Sequence, residues 1–170
     1  LAEEGAVVVA VDRDTDGLGD TVAAIEAEGG TADARELDVS DPDACAALVD
    51  AVAADHGRLD VLANVAGVLT FAHATDHTRQ EWERTLAVNL SGPWFLTQAA
   101  LPHLELTRGN VVNVSSAAGL VGQGYTAAYC ASKGGLVLLT KALAVEYASR
   151  KVRVNAVCPG QVDTNLLADF

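Results

Sequence analysis

The chain has 170 residues, 50% of them hydrophobic, and a formal net charge of −12. That size suffices for one globular domain with a sizeable core, and the acidity excludes the basic stripe that would bind nucleic-acid phosphates or an anionic membrane surface. Cys45, Cys130 and Cys158 form no CxxC pair and no ligand-spaced set with histidine, which excludes a disulfide framework and leaves no metal expected.

Taken in order, β-branched runs alternate with helical patterns, the signature of a parallel sheet covered on both faces. Ala6 to Val11 reads as a buried strand, followed by a helix over about Asp16 to Glu28. Thr31 to Leu37 is the next strand, and Ser40 with Asp43 predicts a capping box opening a helix to about His56. Asp60 to Asn64 is a strand; Thr78 with Glu81 repeats the capping signal and starts a long helical region to about Leu104, bent near Gly92 and Pro93. Asn110 to Ser115, a helix from Ala127 to Ser149 and a strand from Arg153 to Cys158 complete the series. No run of eighteen apolar residues occurs and the start has no signal-peptide layout, so no membrane association and a cytoplasmic location are expected.

The chemistry concentrates between Ser116 and Lys133. Tyr129 and Lys133 are four apart in an Ala/Ser-rich stretch of helical character, so a phenol and an ammonium project from one helix face. Ser116 stands at the end of the strand-like run that begins at Asn110, and Gly119, Gly122 and Gly124 predict a flexible return to the helix. A free phenol keeps its proton until about pH 10, so acid/base work near neutrality calls for an adjacent cation, which Lys133 supplies. Lys133 can also donate hydrogen bonds to ribose hydroxyls. Ser116 can donate to a carbonyl or alcohol oxygen and orient the reacting carbon; Ser115 is its competitor. Asn89, a poor helix former in mid-helix, points to a role for its amide.

These motifs resemble the short-chain dehydrogenases/reductases. The resemblance covers nearly the whole chain and rests on an ordered set: DVLANVAG from Asp60 to Gly67, Asn89 in VNLSG, Ser116 in VNVSSAAG, Tyr129 and Lys133 in YCASK, and PGQVDT from Pro159 to Thr164. It implies an α/β, Rossmann-type doubly wound parallel sheet of order 3-2-1-4-5-6, here lacking its first, central strand. The 170 residues are then a single NAD(P)-binding domain truncated at both ends, without the family's Gly-rich turn and without its substrate-covering segment. The implied activity is hydride transfer between a nicotinamide cofactor and a secondary alcohol or ketone, expected of the full-length parent rather than of the piece alone. Asn89, Ser116, Tyr129 and Lys133 are the implied catalytic set, with Tyr129 as acid/base and Asn89 supporting a water in the proton relay.

The resemblance also implies cofactor contacts from Asp12, Asp38, Val39, Asn64, Ala66, Gly67, Tyr129, Lys133, Pro159, Gly160, Val162 and Thr164. Asp12 closes the first strand, where a carboxylate accepts from ribose hydroxyls and repels a 2′-phosphate, favouring NAD over NADP; Arg13 beside it pulls the other way. Asp12 could equally be a turn residue of the polar run DRDTD. Asp38 could be structural. A homodimer or homotetramer is implied, pairing the helices near Asn89 to Leu104 and Ala127 to Ser149. Two alternatives stay open: a non-catalytic nucleotide-binding regulatory or scaffold domain of the same fold, and a sugar-nucleotide epimerase or dehydratase, which can share the Tyr and Lys. His73 and His77 read as solvated surface histidines, and Trp82, Trp94 and Phe95 as core or subunit contacts.

Overall fold

The computed structural model describes residues 1–162, and two compact units divide the chain: Leu1–Asp38 and Val39–Phe170. In the first unit, β1 (Val7–Asp12) and β2 (Thr31–Glu36) pair in parallel, Val7 opposite Thr31 and Asp12 opposite Glu36. Helix α1 (Thr15–Ala27) makes the crossover. Asp14 caps it by accepting from the Gly17 N–H, satisfying one of the donors that a first helical turn leaves open. Leu18, Ala32 and Leu37 are buried here.

The second unit holds a three-stranded parallel sheet in the order β3 (Val61–Asn64), β4 (Asn110–Val114), β5 (Arg153–Val157). Helix α2 (Pro42–His56) precedes it; α3 (Arg79–Leu86), a π-helical turn (Ala87–Ser91) and α4 (Gly92–Thr107) connect β3 to β4. Helix α5 (Ala127–Tyr147) connects β4 to β5. Val49, Leu101, Leu104, Val111, Leu143 and Val154 meet in one apolar core formed by helices α2, α4 and α5 with the sheet, so burial of a stripe on each helix fixes it to the sheet. The strands form two separate parallel ladders, and no ladder joins β1 to β3 among the described residues.

Most expected elements are present within a residue or two, and the Thr78–Glu81 capping box forms fully, Thr78 Oγ1 accepting from the Glu81 N–H and Glu81 Oε2 accepting from the Thr78 N–H. Two expectations need correction. Asp41, not Ser40, caps α2, its Oδ1 accepting from both Asp43 and Ala44 N–H. Pro42 explains this: it occupies the first helical turn, where a missing N–H costs nothing, and so places the cap immediately before itself. The long helix is interrupted upstream of Gly92 and Pro93 rather than at them. Pro93 cannot donate to the carbonyl one α-turn back, at Asn89, and the Gly92 N–H instead reaches the Ala87 carbonyl, five residues back, so the disturbance becomes a π turn over Ala87–Ser91.

Among the described residues, one helical stretch, Ala127–Arg150, is long and apolar enough by length and composition to cross a membrane. It buries Tyr129, Lys133, Leu136, Val137, Thr140 and Leu143, a face that packs against the sheet at β5.

Candidate active site

The ends of β3 and β4, the π turn and the first two turns of α5 bring four candidate residues together. Lys133 is 3% exposed, and its Nζ donates to the Val114 carbonyl at 2.8 Å, at the last residue of β4. Burial pushes the ammonium down to a pKa of about 8, because a low-dielectric surrounding disfavours the charged form. The same Nζ lies 5.8 Å from the centroid of the Tyr129 ring, the one-face placement expected of the i, i+4 pair. An ammonium has three donors; with Val114 as its partner among the described residues, two remain for a ligand.

Asn89 is fully buried, and the π turn aims its amide at the loop after β3. Its Oδ1 accepts from the Val68 N–H at 2.8 Å, while Nδ2 donates to the Val68 carbonyl at 2.9 Å and to Ser132 Oγ at 3.2 Å. Both amide hydrogens are therefore committed to clamping Val68 and α5, a structural task that the mid-helix position signalled without specifying. Gly67 completes this corner: a Cβ there would stand 3.5 Å from Lys133 Nζ and 3.6 Å from Asn89 Oδ1, so its bare backbone leaves room beside the ammonium.

The two adjacent serines separate cleanly. Ser115 is buried and its Oγ donates to the Lys133 carbonyl at 2.8 Å. Ser116 is partly exposed and caps a short 3-10 turn (Ala117–Gly119), its Oγ accepting from the Ala118 N–H and keeping its own hydrogen to donate. Gly119 is packed rather than flexible. A Cβ there would lie 2.7 Å from the Lys133 carbonyl carbon, so only glycine lets the Ser116 turn approach α5 this closely. Pro159 is tied to the same turn through its carbonyl, which accepts from the Ala117 N–H at 2.8 Å.

Other candidates fall outside this cluster. Asn64 turns into the sheet, Nδ2 donating to Asn113 Oδ1 at 2.8 Å and Thr97 Oγ1 at 3.2 Å, and Asn113 passes the chain on to Thr140. Its Oδ1 is buried with no partner among the described residues. Ala66, Gly160 and Val162 are exposed, and Thr164 lies outside the described residues. The Val39 carbonyl accepts from Cys45 Sγ and meets the bare Cα of Gly92. In the first unit, Asp38 is exposed, and Asp12 accepts with one oxygen from the N–H groups of Arg13 and Asp14, a local turn that leaves its second oxygen to solvent or ligand. His73 is exposed as expected of a surface histidine, though it stands edge-on to Tyr125, whereas both ring nitrogens of His77 are buried without a partner among the described residues, so His77 is not a solvated surface group. Trp82 is 41% exposed and so is not core.

Known proteins share this fold. The family model described as short chain dehydrogenase matches residues 1–170. The chain is 40% identical over 166 residues to meso-2,3-butanediol dehydrogenase of Serratia marcescens, covering 98% of this chain and 65% of that protein. Among solved structures, it resembles a metagenomic short-chain oxidoreductase in complex with NADP, with a TM-score of 0.90 and 40% identity, covering 94% of this chain and 73% of that one. It also resembles an NAD+-bound xylitol dehydrogenase, with a TM-score of 0.90 and 33% identity, covering 94% of this chain and 62% of that one. The chain thus spans about two thirds of the length of the proteins it matches.

Proposed function

The chain belongs to the short-chain dehydrogenase/reductase family, and on that premise we propose that the full-length protein is a nicotinamide-dependent oxidoreductase acting on a secondary alcohol or ketone, with the whole 170-residue chain serving as one nucleotide-binding domain. The observation that carries this reading is the buried Lys133, with two hydrogens uncommitted, beside Tyr129 on one side and the bare backbone of Gly67 on the other. Two uncommitted donors beside a residue without a side chain support a ribose there, a Cβ at Gly67 standing in van der Waals contact with the ammonium.

A nicotinamide cofactor, when bound, supplies the hydride donor or acceptor. The chain's own residues manage the proton and the geometry. Tyr129 Oη exchanges a proton with the substrate oxygen, and the positive charge of Lys133 stabilises the phenolate that results. The Ser116 hydroxyl donates to the same substrate oxygen and holds the reacting carbon in place. Asn89 keeps Val68 and Ser132 fixed, and with them the wall that Gly67 and Lys133 share. Asp12, through its uncommitted oxygen, receives the adenosine ribose hydroxyls and favours NAD over NADP. Asp38, Val39, Pro159, Gly160, Val162 and Thr164 are proposed to line the rest of the cofactor's path, and the intact protein is proposed to be a homodimer or homotetramer.

Replacing Tyr129 by Phe keeps the ring and removes the transferable proton. In the full-length protein kcat should fall roughly 10²–10⁴-fold with the melting temperature little changed, the scale typical of a lost general acid/base. Turnover by the Phe variant within a few-fold of the parent would overturn the assignment.

A further inference from the structure

Two loops leave adjacent parallel strands at the same edge of the sheet, one after β3 and one after β4. They are joined where the Ala72 N–H donates to the Tyr125 carbonyl at 2.9 Å. At that junction three rings meet: Phe71 and Tyr125 with centroids 5.1 Å apart, and His73 edge-on to Tyr125 at 4.8 Å. The rings are not core, for Phe71 is 49% and Tyr125 51% exposed. Leu120 and Val121 on the same loop are exposed as well.

Tyr125 is held at a φ of 65°, in the left-handed region where a side chain other than glycine's is strained, although Gly122 and Gly124, three and one places away, take ordinary negative φ. Glycine at position 125 would relieve that strain. The loop instead places its strain under an aromatic ring that is half in solvent, four residues ahead of Tyr129. Packing alone repays little of this, because half of each ring's surface stays wet. The loops also share a chemical bias: from Val65 to Thr75 and from Ser115 to Thr126 no side chain carries a formal charge at neutrality, so neither presents a cation for a carboxylate or phosphate.

We propose that Phe71, His73 and Tyr125 form an aromatic clasp that receives the apolar ring or chain of an uncharged substrate while Tyr129 and Ser116 address its oxygen. The proposal rests on the oxidoreductase reading for its chemistry, but not for its binding surface. The clasp offers two ring faces and an imidazole edge, surfaces that favour stacking on apolar groups over hydrogen-bonding to the several hydroxyls of a polyol.

The test uses the full-length protein and two readouts. In the first, kcat/KM is compared for 1-phenylethanol and 2,3-butanediol, in the parent and in Tyr125→Gly, Tyr125→Phe and Phe71→Ala. The parent should prefer 1-phenylethanol; Tyr125→Gly should cut that preference about tenfold, mainly through KM, and Tyr125→Phe should retain it, as expected when a stacking face is lost or kept. Because glycine takes the left-handed backbone at position 125 without strain, Tyr125→Gly should still fold, which its melting curve checks. In the second, saturation-transfer NMR follows acetophenone binding, which should weaken in Tyr125→Gly and Phe71→Ala. Binding of acetophenone through these rings with no turnover of any alcohol would leave the clasp standing and overturn the oxidoreductase reading. No acetophenone binding, a parental preference for the diol, or an unchanged ratio in Tyr125→Gly would overturn the clasp.

Discussion

The corner built by Asn89, Ser132 and Lys133 and the turn built by Asp12 and Asp14 both gather polar side chains, yet they are held by different means. At the first, each polar atom is buried and answers a partner remote in sequence: Asn89 reaches Val68 and Ser132, Lys133 reaches Val114, Ser115 reaches the Lys133 carbonyl. At the second, the side chains of Asp12 and Asp14 are exposed and, among the described residues, accept from backbone N–H groups within three residues. Geometry at the buried corner is set by the whole fold and is costly to disturb, whereas the acidic turn is self-contained and free to be specialised for a ligand. The substitutions that separate the two differ accordingly in size.

Asn89→Ala should have the largest effect on stability. It strips Val68 of both these backbone partners in a partly buried setting and removes a donor from Ser132, a loss of about 3 kcal/mol from three hydrogen bonds. Denaturant unfolding of the full-length protein measures this directly; a cost below about 1 kcal/mol would mean that the corner is no more tightly held than the acidic turn.

Lys133→Met should act in the opposite direction and depend on pH. Burial lowers the folded-state pKa from the ordinary 10.5 to about 8. Between those values the unfolded chain holds the proton more tightly, so folding carries its full penalty below about pH 8 and is relieved as pH rises toward 10.5, by up to roughly 3 kcal/mol. The Met variant should therefore gain stability over the parent at pH 7, less whatever the lost bond to Val114 costs, and the difference should shrink toward pH 10. Melting curves at the two pH values check it, and a pH-independent difference would contradict a buried ammonium.

The smallest effect on stability is expected of Asp12→Ala, about 0.5 kcal/mol, since an exposed turn loses hydrogen bonds that water replaces. Its consequence should appear instead in cofactor choice, as a fall in the ratio of kcat/KM for NAD over NADP. A parent that already prefers NADP would transfer control to Arg13.

What the sequence made legible follows the same division. Local signals were readable: the Thr78–Glu81 box, the β-branched strands and the Tyr129–Lys133 spacing each depend on neighbours within four residues. What the sequence did not announce depends on partners far along the chain or on backbone detail. The commitment of Asn64 to Asn113 and Thr97 spans 49 and 33 residues, and no pattern near Asn64 announces it. Ser115 and Ser116 could be ranked by motif, but only the bond from Ser115 to the Lys133 carbonyl gives the physical ground for separating them. The three glycines after Ser116 promised flexibility, whereas Gly119 is there for a close approach and the left-handed residue is Tyr125.

The π turn over Ala87–Ser91 has a further consequence for what can be inserted or deleted. Each residue advances an α-helix by about 100°, so one residue of excess in the turn sets the phase between α3 and α4. With that phase, Thr97, Leu101 and Leu104 face inward on α4 while Thr85 is buried on α3. Deleting one residue from the turn would rotate the α4 stripe by about 100° away from Val49 and Val111. This stretch is therefore constrained in its length as well as in the identity of Asn89.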